Sequence, residues 1–103
     1  METMLKPHEH EALLILQEEC AEVIQAVSKV FRFGIDNYKP GKPATNAEHL
    51  ETEIGDVLCM IDILVTQGVI DPVKLDIAAG QKKEKLRTFS NIFKVKDSIN
   101  YEG

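Results

Sequence analysis

The chain has 103 residues, 44% of them hydrophobic and 28% charged, with a formal net charge of −5. That length and mixture describe one ordered domain spanning residues 1–103, with a helical core over about 8–87. The acidic balance argues against a nucleic-acid polymer as partner, and no apolar run approaches the roughly 20 residues of a membrane span, so no membrane partner is expected.

The opening stretch METMLKPHEHEALL lacks the basic-then-apolar layout of a secretory signal, which points to a cytoplasmic location. Pro7 and the acids behind it suit a first helical turn, so a helix is predicted over His8 to Phe33. Its apolar stripe is Leu13, Leu16, Cys20, Val23, Val27 and Val30, in alternating steps of three and four. Gly34 suits the C-terminal cap, and GIDNYKPGKPATN reads as a loop rich in Gly and Pro. Thr45 with Glu48 three residues later forms a capping-box pattern for a second helix, with Leu50, Ile54, Val57, Ile61 and Leu64 as its stripe and Gly68 as its stop. Asp71-Pro72 reads as cap and first position of a third helix reaching about Arg87. The tail from 88 to 103 fits an extended arm or a short helix docking on a neighbour. The fold class is therefore all-α: an antiparallel bundle of three to four helices per chain, completed by oligomerisation.

Cys20 and Cys59 both lie in apolar helical patterns and are expected to be buried free thiols. His8, His10 and His49 are expected at the surface, because none has the Glu-x-x-His spacing of a di-iron helix pair.

The two main helices repeat one pattern. LQEECAEVIQAV laid over LETEIGDVLCMI, 34 residues on, puts Glu19 on Glu53 and Glu22 on Asp56. Acids three apart share a helix face, so each helix carries its pair on the same flank of its stripe. If the helices pack antiparallel, four carboxylates converge on one small volume. At low dielectric they must be protonated or neutralised by cations, and an all-oxygen set suits hard ions such as Mg²⁺ or Mn²⁺. Spacing alone leaves a second option, a solvated acidic flank with no ligand. Lys29 and Arg32 follow Glu22 on the same helix and are candidate phosphate contacts, with simple C-terminal capping as the alternative.

Glu18-Glu19-x-x-Glu22 followed by Glu53-x-x-Asp56, within EECAEVIQAVSKVFRFG and HLETEIGDVLCMIDIL, resembles the signature of the MazG-like, all-α nucleoside triphosphate pyrophosphohydrolases, in particular their short single-domain bacterial and phage-type members. The likeness covers roughly residues 10–90, although the 30-residue spacer between Glu22 and Glu53 is longer than the family's usual one. The resemblance implies cleavage between the α- and β-phosphates of an NTP or dNTP, giving a monophosphate and pyrophosphate. It further implies that Glu19, Glu22, Glu53 and Asp56 hold Mg²⁺, with Mn²⁺ as a substitute, and that Glu18 orients or deprotonates the attacking water. QKKEKLR resembles the family's Lys-rich stretch facing the phosphate tail, making Lys82 and Lys85 phosphate-binding candidates. The alternatives are a non-catalytic metal- and nucleotide-binding relative and an enzyme similar to phosphoribosyl-ATP pyrophosphohydrolase. Apolar Leu14, Ile24 and Leu58 with small Ala21 and Gly55 lie on the flank opposite the acids, which predicts a homodimer or homotetramer.

Overall fold

In the computed structural model, residues 4–38 and 41–94 are described. They contain three helices, α1 (Pro7–Phe33), α2 (Asn46–Thr66) and α3 (Pro72–Phe89), and among the described residues there is no strand. The chain divides into two compact units between Val69 and Ile70, the first holding α1 and α2 and the second α3.

The helix limits follow from local chemistry. Pro7 occupies the first turn of α1, where its missing N–H costs nothing, and the Lys6 N–H donates to Glu9 Oε1 at 2.9 Å. Gly34 ends α1 at φ 96°, with its N–H still bonded to Val30 O. Thr45 and Glu48 form the expected reciprocal box: the Glu48 N–H donates to Thr45 Oγ1 at 3.1 Å and the Thr45 N–H to Glu48 Oε1 at 2.9 Å. At the far end of α2 the Gly68 N–H reaches Val65 O and the Val69 N–H reaches Leu64 O, both at 2.9 Å, the paired bonds of a Schellman ending. Asp71 Oδ1 accepts from the Val73 N–H and caps α3.

Two side-chain bonds close α1 and α2 into an antiparallel hairpin. Beside the loop, the fully buried Asn46 donates from Nδ2 to Gly34 O at 2.9 Å, while its own N–H goes to Asn37 O at 2.8 Å. At the open end, Gln67 Nε2 donates to His8 O at 3.3 Å. Between these ties Ala12 and Ala26 of α1 and Met60 and Leu64 of α2 are buried.

This face differs from the predicted stripe. The buried and half-buried line of α1 runs Ala12, Leu16, Glu19, Val23, Ala26 and Val30, and Leu13 of the predicted stripe is half-buried beside it, whereas Cys20 and Val27 are exposed. The helix is turned by roughly 50° from the expected orientation, about half of the ~100° that separates successive residues. Cys20 is consequently exposed, and Cys59 on α2 is exposed as well, correcting the expectation of buried thiols. Leu14, Ile24 and Leu58 are open as expected, at 46%, 69% and 60% of their surface, and Phe31 joins them at 84%.

In the second unit, α3 buries none of its residues. Arg87 pairs with Glu84 at 3.2 Å and lies over the Phe93 ring, and Ser90 donates its N–H and hydroxyl to Leu86 O. Most of the predicted arm, residues 95–103, lies outside the described residues. No helix among the described residues is long and apolar enough to cross a membrane.

Candidate metal centre

The rotation of α1 brings Glu19 into the line that faces α2, and Glu53 holds the matching place on α2 between Leu50 and Val57. Both are half-buried, and Asp56, one turn after Glu53, borders them from a more exposed position. Carboxylate oxygens of Glu19, Glu53 and Asp56 all lie within 4.8 Å of one another. Three of the four acids predicted to converge thus meet in one small volume.

Glu22 is the fourth, and it stays exposed outside that trio, one turn along α1 from Glu19. Its charge still acts on Glu19, as does that of exposed Glu18. The Glu19 carboxyl is held above the ordinary carboxylate range. Desolvation between the helices is the largest cause, followed by repulsion from Asp56 and Glu53 across the interface, then from Glu22 and Glu18. A partly desolvated carboxylate facing two others is an incomplete electrostatic arrangement. A divalent cation between them removes the repulsion and satisfies the oxygens. The donor set is all oxygen, which fits Mg²⁺ or Mn²⁺ and disfavours ions that select thiolate or imidazole.

His49 borders this neighbourhood while its side chain stays 36% exposed, in keeping with a place at the surface. Half-buried one turn before Glu53, it places Nε2 3.1 Å from Glu53 Oε2, a charged pair when the ring is protonated. The four-residue spacing of His49 and Glu53 on one helix is the signal that would have found it.

Beside His49 lies a pocket of about 200 Å³ lined by Lys29, Lys42, Pro43, Ala44, Asn46 and His49. Of the predicted phosphate ligands, only Lys29 lines it. Arg32 is exposed, its guanidinium carbon 4.8 Å from the centre of the Phe33 ring. Lys82 and Lys85 are exposed on one face of α3, in the second unit. Lys42, which the sequence reading passed over, sits in a loop where no periodicity marks a residue's direction.

No curated protein and no solved structure matches the chain. The family model described as the MazG nucleotide pyrophosphohydrolase domain matches residues 8–89 of the 103, a span that takes in all of α2, α3 and nearly all of α1. The chain belongs to the MazG nucleotide pyrophosphohydrolase domain family.

Proposed function

We propose that the protein is an Mg²⁺-dependent nucleoside triphosphate pyrophosphohydrolase, with Mn²⁺ able to substitute, acting on an NTP or dNTP to give the monophosphate and pyrophosphate. The observation that carries this reading is the meeting of Glu19, Glu53 and Asp56 within 4.8 Å across the α1–α2 interface. Membership of the family supports pyrophosphohydrolase activity in general, and the acidic trio supplies the metal-binding chemistry such an activity needs.

In this mechanism Glu19, Glu53 and Asp56 hold the cation, and Glu22 completes the acidic wall from the next turn of α1. When bound, the ion lowers the pKa of coordinated water and withdraws charge from the phosphate oxygens. Glu18, exposed beside Glu19, accepts the proton of the attacking water. The water oxygen bonds to the α-phosphorus, the bond to the bridging oxygen breaks, and pyrophosphate departs with that oxygen and its electron pair. Lys29 and Arg32 are the first unit's cations proposed for the phosphate tail, and Lys82 and Lys85 on α3 are proposed by themselves as phosphate-binding residues.

The working protein is proposed to be a homodimer or homotetramer, because Ile24, Phe31 and Leu58 each leave more than half of their surface open. The deciding experiment measures pyrophosphate release from a broad NTP and dNTP panel, with Mg²⁺, with Mn²⁺ and with chelator. Metal-dependent release from at least one nucleotide is expected. No release from any of them refutes the reading.

A further inference from the structure

We propose that the pocket beside the α1–α2 loop holds the outer two phosphates of the nucleotide, gripped by Lys29 and Lys42 with His49 as a wall, and so retains pyrophosphate after cleavage. The proposal rests on the pyrophosphohydrolase reading above and assigns the place of its leaving group.

Three observations converge on an anion. The pocket draws two lysines from different elements, Lys29 from the last turns of α1 and Lys42 from the loop. Among the described residues neither lysine has a carboxylate within ion-pair distance, so their charges are left for a ligand. The backbone cannot do the same work. The first amides of α2 already have acceptors, with the Asn46 N–H on Asn37 O, the Ala47 N–H on Ile35 O and the Glu48 N–H on Thr45 Oγ1. An anion here is therefore held by side-chain cations, while the start of the α2 macrodipole adds a favourable field.

His49 fixes where that anion sits relative to the acids. One residue both lines the pocket and stands 3.1 Å from Glu53 Oε2, so the pocket and the acidic trio are neighbours along α2. A polyphosphate with its α-phosphorus at the acids extends its outer phosphates towards the lysines. As the bridging bond breaks, the electron pair leaves with pyrophosphate, and Lys29 and Lys42 face the charge that grows on it.

Titration calorimetry with inorganic pyrophosphate in the presence of Mg²⁺ tests this directly. Kd should rise at least tenfold in Lys29→Met and in Lys42→Met, and Lys29→Arg should stay within about threefold of the parent. Lys74→Met, which removes the same charge from α3, should shift Kd by less than twofold. Circular dichroism melts confirm that each variant is folded, and Met keeps the aliphatic stem that half-buried Lys29 packs. The pocket assignment is overturned if wild type does not bind pyrophosphate, or if both variants weaken it no more than Lys74→Met. If the lysine variants lose pyrophosphate but the wild type cleaves no nucleotide, the hydrolase reading falls and the anion pocket stands.

Discussion

Replacing Asn46 by alanine tests how the acids are brought into register. Asn46 is 1% exposed, and its Nδ2 is the donor that ties the end of α1, through Gly34 O, to the start of α2. Truncation removes this bond and leaves a small void. Gly34 O is not fully orphaned, because it also accepts the Asn37 N–H at a longer 3.4 Å. The loss therefore belongs in the lower part of the range for an unsatisfied buried group, about 1–2 kcal/mol. For a domain of this size each kcal/mol lowers Tm by roughly 4–8 °C, so a fall of about 5–15 °C is expected. Thermal unfolding followed by circular dichroism in chelator measures it without interference from bound metal. Because the bond joins the end of the helix that carries Glu19 to the start of the one that carries Glu53 and Asp56, Mg²⁺ affinity should weaken in parallel. A Tm within 2 °C of the parent, with unchanged Mg²⁺ affinity, would refute the idea that Asn46 clamps the hairpin.

Glu53→Gln and Asp56→Asn should each abolish nearly all pyrophosphate release, and parental activity in either removes the metal site from the mechanism. Raised above its unfolded value near 4.5, the Glu19 carboxyl gives the folded state the extra proton between those two pKa values. In chelator, stability should consequently fall as pH rises through that window. Urea midpoints that climb with pH there, in wild type but not in Glu19→Gln, would contradict the sign. Added Mg²⁺ should raise the wild-type Tm at neutral pH and leave Glu19→Gln unmoved, which differential scanning fluorimetry reads directly. Light scattering should report a dimer or tetramer, with a thiol reagent reacting slowly at Cys20 because it shares the exposed stripe of Ile24, Val27 and Phe31; a monomer refutes that assembly.

The parts of this fold that could be read from sequence are those governed by local chemistry. Gly34, the Thr45–Glu48 box and Asp71-Pro72 set helix ends through their own backbone and neighbours, and all three behave as predicted. The matched acid pairs were legible for a similar reason, since spacing along a helix fixes which residues share a face. The face that α1 turns to α2 was not. Periodicity ranks Val27 and Cys20 above Ala12 and Ala26, yet the alanines are the buried ones, and that choice depends on the partner helix. The same rotation explains why Glu19 enters the interface while Glu22 remains in the open. His49 and Lys42 acquire their place only once the loop folds back beside α2.

The hairpin is fastened at both extremities, by Asn46 to Gly34 and by Gln67 to His8, and Ile35, Asn37 and Thr45 add bonds to the start of α2, so its alignment rests on these ties rather than on the loop tip that carries Lys42. That segment can lengthen or change composition at a cost that grows only logarithmically with its length. Because Lys42, Pro43 and Ala44 belong to it, new ligand preferences can be engineered there as an exchangeable cassette while the opposing acid rows keep their spacing.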